Sequence, residues 1–419
     1  MKTAIKREQS DARIRSAECE QARPKVKTAI VGGGAAGFFL AINLKEMCEQ
    51  MEVTIFEKSR KVLAKVEISG GGRCNCTNSF AEVRDLQYVY PRGHRLMKRL
   101  MKGFSHRDAY DWFEKHGVRL TTQEDQCVFP MSQDSHSIIN CFLAEARRHN
   151  VEIRTETKID SLDELSDYDF IAVTTGGSPK VEGIRWLERH EVESPVPSLF
   201  TFQIDDKALQ ALMGTVVENA VTMIPGTKMR AEGPLLITHW GMSGPAILKL
   251  SSYAARHLAE CGYKSPLAVN WTSLHDNEVL SALEEITIRH SKKQLQTISP
   301  CGLPSRLWSY LVEKCLGERA NGRWGSLNKK ELNRLANILS GGDMYNIAGR
   351  APFKDEFVTC GGVSLSSVNP ATLESKEKPH LYFAGEVLDI DGITGGFNFQ
   401  AAWTTAYTVA QAIAKSCQM

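Results

Sequence analysis

The sequence predicts an α/β fold, and three features of its 419 residues support that prediction. A short β-branched run, Lys27–Val31, ends in a cluster of glycines, as a buried strand that enters a turn does. Apolar residues then recur at helical spacing from Ala36 to Met47, and residues 51–56 form a second strand-like run. Strand, helix and strand in this order form a βαβ unit, whose crossover should be right-handed. The sequence therefore predicts a Rossmann-like domain built on a parallel sheet.

The rest of the chain continues this α/β pattern, leaves it and then returns to it. The later predicted elements are, in order, helices at residues 96–117 and 137–150, strands at 151–154 and 169–173, short strand-like runs from 195 to 271, helices between 277 and 339, strands at 357–363 and 381–386, and a final helix from about 398 to 414. This order is typical of a parallel-sheet domain that is interrupted by an insert and completed by the C-terminus.

The chain is also too long for one average domain. The predicted division has four segments, namely a polar N-terminal extension at residues 1–25, the first part of the parallel-sheet domain at 26–194, an inserted β-rich and then helical module at 195–342, and the C-terminal part of the domain at 343–419. We call the insert the module below.

Composition and charge exclude several classes of protein. Hydrophobic residues make up 42% and charged residues 24%, an ordinary balance for a globular chain. A net charge of +2 gives no support to a nucleic-acid or membrane-surface partner, and no apolar run approaches the roughly 20 residues that span a bilayer. Eleven cysteines at irregular spacing, without a secretion signal, predict reduced thiols in the cytoplasm and no metal site. No feature predicts an oligomeric state.

The first motif with chemical content is the turn between the first strand and helix. Gly32, Gly34 and Gly37 have the spacing G-x-G-x-x-G, in which the first glycine permits a tight turn and the second lets a pyrophosphate approach the backbone. The third lets helix and strand pack closely. A diphosphate would sit on the amides that open the helix, including those of Ala35 and Ala36, because the helix dipole favours negative charge there. The turn therefore predicts a dinucleotide site.

An acid stands at the expected distance from this turn. Glu57 follows Gly37 by twenty residues, at the end of the second strand, where its carboxylate can accept hydrogen bonds from ribose hydroxyls. A 2′-phosphate would meet like charge at Glu57, which disfavours NADP at this site. We include the next residue, Lys58, in the predicted site.

Further glycine-rich segments predict that the dinucleotide is FAD. Gly70, Gly71 and Gly72 expose backbone N–H groups without Cβ atoms, and Arg73 and Asn75 follow in the same loop. This loop suits an anionic or carbonyl-rich ligand. Arg73 lies near the flavin ring in one interpretation and clamps the pyrophosphate in another.

The flavin end of the site is predicted near the C-terminus. Gly385 and Glu386 place an acid just after a strand, a context in which a carboxylate holds the ribityl chain of a flavin. Residues 391–398 then open the last helix with another amide-rich turn. From these segments and the strand end at residue 173, the predicted contacts are Thr175, Gly176, Gly385, Glu386, Gly395, Gly396, Phe397 and Asn398.

At these motifs the chain resembles the HI0933-type flavoproteins, a bacterial family of NAD(P)/FAD-dependent oxidoreductases sometimes named after BaiN. The segments that carry the resemblance are residues 68–78, 238–245, 360–363, 373–376 and 381–398. The resemblance implies a glutathione-reductase-like FAD domain with the module inserted between its halves. It also implies FAD contacts at the turn of Gly32, Gly34 and Gly37, at Glu57, in the loop from Gly70 to Arg73, at Gly385 and Glu386, and in the turn at residues 395–398.

Residues for catalysis are harder to predict, because a flavin performs the redox chemistry itself. His239 and Asn75 are weak candidates, and the competing interpretation of His239 is a residue that stabilises its own loop. Asp389 and Asp391 are expected to be a helix cap and a solvated loop charge. Cys74 and Cys76 form a C-x-C pair, whose geometry argues against a redox disulfide.

The functional prediction is an FAD-dependent oxidoreductase that acts on an unidentified small organic substrate between the domain and the module. NAD(P)H as a transient co-substrate, the substrate itself or another protein would supply electrons. One alternative is a flavin-dependent RNA-modifying enzyme, for which the insert offers Arg289, Lys292, Lys293, Lys329, Lys330 and Arg334. The near-neutral total charge argues against that alternative. The other alternative is a non-catalytic flavin-binding protein.

Overall fold

The structure is a computed structural model that describes residues 26–178, 180–187, 189–350 and 358–418. The predicted N-terminal extension at residues 1–25 lies outside the described residues. The strands, in chain order, are β1 (Lys27–Val31), β2 (Glu52–Phe56), β3 (Thr77–Asn78), β4 (Leu120–Thr122), β5 (Cys127–Pro130), β6 (Glu152–Arg154), β7 (Phe170–Val173), β8 (Val192–Ser198), β9 (Phe202–Gln203), β10 (Val216–Met223), β11 (Arg230–Thr238), β12 (Gly241–Ser243), β13 (Ser265–Asn270), β14 (Gly341–Ile347), β15 (Gly349–Arg350), β16 (Val358–Val363) and β17 (Leu381–Phe383).

The helices alternate with these strands in the first part of the chain and cluster in the middle. In chain order they are α1 (Ala35–Met47), α2 (Ala64–Gly72), α3 (His94–Leu100), α4 (His106–Lys115), α5 (His136–Arg148), α6 (Lys207–Gln210), α7 (Pro245–Tyr253), α8 (Ala255–Glu260), α9 (Asp276–Arg289), α10 (Ser305–Leu316), α11 (Lys329–Ser340) and α12 (Phe397–Gln418).

The parallel-sheet domain is built on five strands in the order β17-β7-β1-β2-β6, and every neighbouring pair is parallel. The β1–β2 pairing aligns Lys27 with Glu52 and Val31 with Phe56. Because β17 comes from the C-terminal part of the chain and pairs with β7, the end of the sequence completes the sheet that its beginning starts. Helices α1 and α12 pack against each other. The predicted α/β fold with a Rossmann-like sheet is confirmed.

The core of this domain is rich in aromatic side chains. Phe39 of α1 packs against Phe142 of α5 at 6.5 Å and Trp403 of α12 at 5.1 Å between ring centres. These three side chains have no exposed surface, and aromatic contacts such as the edge-to-face pair of Phe39 and Phe142 add to the free energy of burial. The sequence-distant helices are thereby fixed on the sheet.

The predicted single helix at residues 96–117 is wrong, since the structure divides it into α3 and α4. Ser105 begins the second helix, because its hydroxyl accepts from the Asp108 N–H while the Asp108 carboxylate accepts from the Ser105 N–H. This reciprocal capping box satisfies two amide donors that a helix start leaves open. The apolar residues keep their helical spacing across the break, so this pattern alone does not indicate where one helix ends and the next begins.

The module has its own sheet of seven strands in the order β14-β13-β10-β11-β12-β9-β15, with antiparallel pairing between neighbours. Helices α9, α10 and α11 share a separate buried core with this sheet. Strands β14 and β15 belong to the sheet although most of their residues follow position 342. The seven-stranded sheet therefore continues past the predicted end of the insert, and the exact division into domains stays a prediction.

A two-stranded antiparallel ladder connects the parallel-sheet domain with the module. Strand β8 leaves the parallel-sheet domain and β16 returns to it, and the two pair antiparallel. Gly361 and Gly362 of β16 are required sterically, because a Cβ would lie 2.6 Å from Ser194 O at the first position and 2.3 Å from Val387 O at the second. Among the described helices, none has the length and apolar character needed to cross a bilayer. The cytoplasmic location stays a prediction.

Candidate flavin site

The glycine turn has the geometry that its spacing predicts. Gly32 has φ +120°, and a Cβ there would lie 2.4 Å from Thr174 O. A Cβ at Gly37 would lie 2.1 Å from Gly32 O, so the third glycine permits α1 to pack on the turn. A Cβ at Gly34, in contrast, would meet no atom within 4 Å. The backbone at Gly34 therefore borders open space that a ligand can enter.

The start of α1 suits an anion. Gly34 is the N-cap and gives the helix no side-chain cap, and the first turn contains no acidic residue. The helix dipole therefore places uncompensated partial positive charge at Ala35 and Ala36. The residues present fit the diphosphate of a dinucleotide.

Glu57 lies at the end of β2, beside this turn. Its Oε2 atom accepts from the Gly33 N–H at 2.9 Å, and its Oε1 atom accepts from the Ser59 N–H at 2.9 Å and the Ser59 hydroxyl at 2.6 Å. The half-buried carboxylate thus stabilises the turn and lies where the sequence predicts ribose recognition. Lys58 is exposed next to it. Cofactor contacts by Glu57 and Lys58 stay predictions.

Three consecutive glycines at the end of α2 adopt left-handed backbone conformations. Their φ angles are +58°, +69° and +84° at Gly70, Gly71 and Gly72. A Cβ at Gly70 would lie 2.9 Å from Asn75 N, whereas at Gly71 and Gly72 it would meet nothing within 4 Å. This part of the loop therefore exposes backbone that side chains do not cover, as the prediction requires.

Arg73 is engaged in holding this loop. Its Nε donates to Gly70 O at 3.2 Å and its Nη1 donates to the Gln133 side chain at 3.2 Å. The guanidinium also lies 4.2 Å from the centre of the Phe129 ring. These contacts favour a structural role in the loop, and both proposed contacts of Arg73 with a cofactor stay predictions.

Asn75 links the first glycine loop to the C-terminal turn. In the amide orientation that satisfies both ends, its nitrogen donates to Thr77 O at 2.8 Å and its oxygen accepts from the Gly396 N–H at 3.1 Å. Asn78 donates to Gly395 O at 3.0 Å, and a Cβ at Gly396 would lie 2.2 Å from Thr77 O. The structure thus brings together two predicted segments that lie more than 300 residues apart in the sequence.

Phe397 and Asn398, which follow Gly396, have side chains that stabilise the C-terminal turn itself. The buried Phe397 ring packs against Phe80 at 5.2 Å between ring centres. The Asn398 side chain forms two hydrogen bonds with Gly392, accepting from its N–H at 2.8 Å and donating to its carbonyl at 3.0 Å. Both side chains therefore hold the turn itself, and contact of either residue with a cofactor stays a prediction.

Gly385 joins the C-terminal part of the site to the first turn. Its φ angle is +78°, and a Cβ there would lie 2.9 Å from the Cβ of Ala36. Its N–H donates to the Thr405 hydroxyl at 2.9 Å. This close approach places Glu386 beside the start of α1, near the strand end that carries Gly176.

Glu386 is held as a carboxylate. Burial alone would raise its pKa, but the Lys65 ammonium at 3.0 Å and the hydrogen bond from the Thr359 N–H at 2.8 Å outweigh burial and lower the pKa below its ordinary value. An ionised acceptor here fits hydroxyl donors of a ribityl chain. Gly176 lies against this carboxylate and Thr175 is exposed beside it. No motif in the sequence identifies Lys65 or Thr359 as partners of Glu386.

The expectation for Asp391 is wrong. Its side chain has no exposed surface and accepts from Arg92, with Nε at 2.6 Å from Oδ1, and from the Ser198 hydroxyl at 3.1 Å. The Arg92 Nη1 group also donates to Ser252 O on α7 at 2.7 Å. Burial raises the pKa of Asp391, although the Arg92 hydrogen bonds and charge act in the opposite direction. Asp391 therefore joins the flavin-side loop to the module.

The expectation for Asp389 is also wrong, because both of its carboxylate oxygens accept from Arg256 of α8, at 2.9 and 2.8 Å. Asp389 is thus tied directly to α8 by Arg256, and Asp391 is linked to α7 through Arg92, which also donates to Ser252 O. Tyr253 adds a hydrogen bond from its hydroxyl to Tyr88 O at 2.8 Å. We call the set Arg92, Asp391, Arg256 and Asp389 the junction.

His239 lies in the turn between β11 and β12. Its ring is exposed and stands edge-on to the Trp240 ring at 4.3 Å between centres. Within the described residues it forms no hydrogen bond to a predicted cofactor-binding residue. This position favours the local interpretation of His239, and its catalytic role stays a prediction.

Lys249, a half-buried residue on α7, belongs to none of the motifs described above. Its Nζ group donates to Glu232 O at 3.3 Å. Burial lowers the pKa of Lys249, whereas the negative charges of Glu232 and Glu82 act in the opposite direction to a smaller extent.

The two cysteines of the glycine loop, Cys74 and Cys76, lie in the protein interior. Both thiols are free and fully buried, and burial raises the pKa of Cys74 to about 12. The Cys76 carbonyl accepts from the Trp403 indole at 2.7 Å. Both cysteines therefore serve the packing of the loop on α12. Within the described part of the chain, no group of His, Cys, Asp and Glu side chains has the arrangement of a metal site.

Comparison with known proteins agrees with this arrangement. The profile of the HI0933-like protein Rossmann domain matches residues 26–412. Proteins named "Ribosomal RNA dihydrouridine synthase" are 26% identical in Haemophilus influenzae, over 92% of this chain and 98% of the relative, and 28% identical in Escherichia coli, over 91% and 96%. A "3-dehydro-bile acid delta(4,6)-reductase" of Clostridium scindens is 25% identical over 93% of this chain and 99% of the relative.

Among solved structures, 3-ketosteroid delta1-dehydrogenase from Sterolibacterium denitrificans is similar with 11% identity and a TM-score of 0.47, covering 93% of this chain and 99% of that one. At these values the similarity does not bear on the substrate. The family profile covers most of the chain and includes both glycine-lined segments of the site. The chain belongs to the HI0933-like family of FAD-dependent oxidoreductases.

Proposed function

We propose that the protein is an FAD-dependent reductase that saturates a carbon–carbon double bond conjugated to a carbonyl group. The substrate is a small organic molecule bound between the parallel-sheet domain and the module, and NAD(P)H is the electron donor. The observation that carries the proposal is the convergence of the loops at Gly70–Gly72 and Gly395–Gly396 through Asn75, and the approach of Gly385 and Glu386 to the start of α1.

The reaction class is supported by what the relatives' names have in common. Dihydrouridine is uridine with hydrogen added across a ring double bond next to a carbonyl. A delta(4,6)-reductase of a 3-dehydro bile acid likewise acts on double bonds in line with a ketone. Such bonds accept hydrogen because the carbonyl oxygen takes up the developing negative charge. One reaction class thus covers substrates of very different size.

The residues of the chain fit a bound FAD in the following way. The amides at the start of α1 would hold the diphosphate, Glu57 would accept from the adenosine ribose, and Glu386 would accept from the ribityl hydroxyls. The backbone at Gly395–Gly396, which Asn75 and Asn78 hold by hydrogen bonds, would contact the flavin. FAD, when bound, supplies the electron transfer that no amino-acid side chain provides.

The reaction also needs one proton for the carbon next to the carbonyl. NAD(P)H is oxidised by two electrons, the double bond gains hydrogen at both carbons, and the second hydrogen arrives as a proton. His239 and Lys249 are the candidate donors from the module. We favour Lys249 Nζ, because burial makes its proton easier to release.

Anaerobic titration of the FAD-reconstituted protein tests the proposal. NADH or NADPH should bleach the visible band of the oxidised flavin, and a cyclic enone should restore it while a saturated ketone does not. Failure to retain FAD would remove the cofactor assignment. Binding without reduction by either nucleotide would favour the non-catalytic flavin protein, and reduction without reoxidation by any enone would remove the substrate class.

A second candidate is reduction of uracil in RNA, which the names of the two relatives at 26% and 28% identity favour. Ribosomal RNA incubated with the reduced enzyme would then contain dihydrouridine, measured by mass spectrometry of the digested nucleosides. An unchanged nucleoside profile, with the enone reaction intact, would exclude this candidate.

A further inference from the structure

The candidate flavin site places two carboxylates beside the start of α1. Glu57 Oε2 accepts from the Gly33 N–H at 2.9 Å, and Glu386 follows Gly385, at which a Cβ would lie 2.9 Å from the Cβ of Ala36. A diphosphate on the amides of this helix would therefore meet two negative charges nearby, and a helix N-terminus offers only about half a unit of positive charge. A cation in the same place would offset this repulsion.

Lys65 is such a cation. Its Nζ atom lies 3.0 Å from Glu386 Oε2, and among the described residues it is the cation that pairs with this acid. The other oxygen of Glu386, Oε1, accepts from the Thr359 N–H at 2.8 Å. A Cβ at Gly176 would lie 3.7 Å from Oε2. The ammonium group therefore lies at the side of Glu386 that borders the end of β7.

The backbone around Lys65 is fixed on the glycine turn. The Leu63 N–H donates to Gly33 O at 2.9 Å, and the Val62 side chain lies 3.1 Å from the position that a Cβ on Gly33 would take. Lys65 follows Leu63 by two residues and is the second residue of α2. Its backbone is therefore held next to the turn that begins α1, and its side chain extends from there to Glu386. Lys65 thus lies between the predicted diphosphate and ribityl positions.

The Lys65 side chain has the freedom to serve a ligand as well. It is 59% exposed, whereas that of Glu386 is 21% exposed. An ammonium group carries three N–H donors, and within the part of the chain that the structure describes Glu386 is its acceptor. The flexible four-carbon stem lets the charge approach a second anion. Arg73, in contrast, donates to Gly70 O and to the Gln133 side chain within its own loop.

We propose that Lys65 is a cofactor-binding residue whose ammonium group contacts the diphosphate of FAD while it stays paired with Glu386. One cation then compensates both the acid at the ribityl end of the site and the anion at the start of α1. The inference rests on the proposed function, because it takes FAD as the ligand of this site. It adds a charged side chain to a diphosphate site that otherwise consists of backbone amides.

The test measures FAD affinity by calorimetry with the full chain freed of flavin, at several salt concentrations. Lys65→Met keeps the apolar stem and removes the charge. It should weaken FAD binding at least about fivefold at low salt, and by less at high salt, because salt screens exposed charges.

The matched control is Lys61→Met, which removes a cation of the same segment. Lys61 pairs with Glu67 instead of an acid of the site, so this variant should leave FAD affinity unchanged. Both variants should keep the native melting temperature, since both lysine side chains are largely exposed.

Two further measurements separate a contact with the diphosphate from an effect that passes through Glu386. Riboflavin has the flavin ring and the ribityl chain but no diphosphate, so Lys65→Met should weaken riboflavin binding much less than FAD binding. In a Glu386→Gln background, Lys65→Met should weaken FAD binding by a similar factor as in the native background, because the phosphate contact is still there to be lost.

The proposal is overturned if Lys65→Met binds FAD as tightly as the native protein, if it loses riboflavin affinity by the same factor, or if it has no effect in the Glu386→Gln background. An equal loss in Lys61→Met would also contradict it, and a loss in Lys58→Met alone would assign the cation to Lys58 instead. A native protein that binds no FAD contradicts the cofactor assignment itself, whereas native binding with an unaltered Lys65→Met variant contradicts the role of Lys65 alone.

Discussion

The parallel-sheet domain and the module differ in which atoms would perform their functions. In the domain, the site consists largely of glycine backbone. Gly32 and Gly37 are required by how closely strands and helix approach, and Gly34 borders open space. In the module, the candidate groups are the side chains of His239 and Lys249, which belong to separate segments of the chain. A site made of backbone requires glycines at fixed spacing, and this spacing can be recognised in the sequence. A site made of side chains from separate segments has no such pattern.

The junction between the two regions should produce the largest effect. Arg92→Met would leave the buried Asp391 carboxylate without its partner, which costs about 3–5 kcal/mol in buried pairs. Urea unfolding monitored by tryptophan fluorescence gives the change in free energy. The double variant Arg92→Met, Asp391→Leu should recover most of the loss, because no buried charge remains. A single variant as stable as the native protein would show that the junction does not hold the regions together.

Substitutions at two glycines of the same turn should have different effects, one on stability and the other on cofactor binding. Gly37→Ala places a Cβ 2.1 Å from Gly32 O, and overpacking of this kind costs about 1–3 kcal/mol. Gly34→Val projects into open space from an extended backbone with φ −94°, so the fold should survive.

We expect the Gly34 variant to keep its melting temperature and to bind FAD at least about tenfold more weakly, a loss of about 1.4 kcal/mol. Calorimetry of FAD binding alongside thermal unfolding measures both. Unchanged FAD affinity in Gly34→Val would place the diphosphate elsewhere.

The capping boxes of α4 and α11 allow a matched comparison of the two regions. Ser105→Ala in the domain and Asn328→Ala in the module each remove one cap, which costs about 1 kcal/mol. Hydrogen exchange resolved by peptide should show faster exchange in the mutated region only, if the two cores unfold separately. Equal acceleration in both regions would indicate one cooperative unit.

The smallest expected effect concerns Glu386, whose partner Lys65 is itself 59% exposed. Because the folded-state pKa of Glu386 is lowered, its ionised form stabilises the protein above the ordinary pKa of about 4.5, and this contribution is lost as pH falls through the lowered value. The native protein should therefore have the higher free energy of unfolding at neutral pH, and its difference from the Glu386→Gln variant should decrease below about pH 4.5. A difference in the free energy of unfolding that stays constant with pH would contradict the assignment of Glu386 as an ionised carboxylate.

Much of the domain could be predicted because its elements are local. The βαβ unit, the final helix and the resemblance at residues 381–398 all rest on short-range spacing, and the α/β fold is confirmed. The helix at residues 96–117 was predicted without its break, since a capping box at Ser105 interrupts a continuous apolar stripe. Asp389 and Asp391 were placed wrongly because their arginine partners lie more than 100 residues away.

The sequence by itself determined the parallel-sheet fold, the glycine turn and the family, because each depends on which residues can fit at fixed local spacing. The tertiary structure decided the ionisation of Glu386 beside Lys65, the junction and the burial of Lys249. Each of these depends on burial and charge contributed by segments that are distant in the chain. Those contributions exist only once the two cores have packed and removed the intervening water.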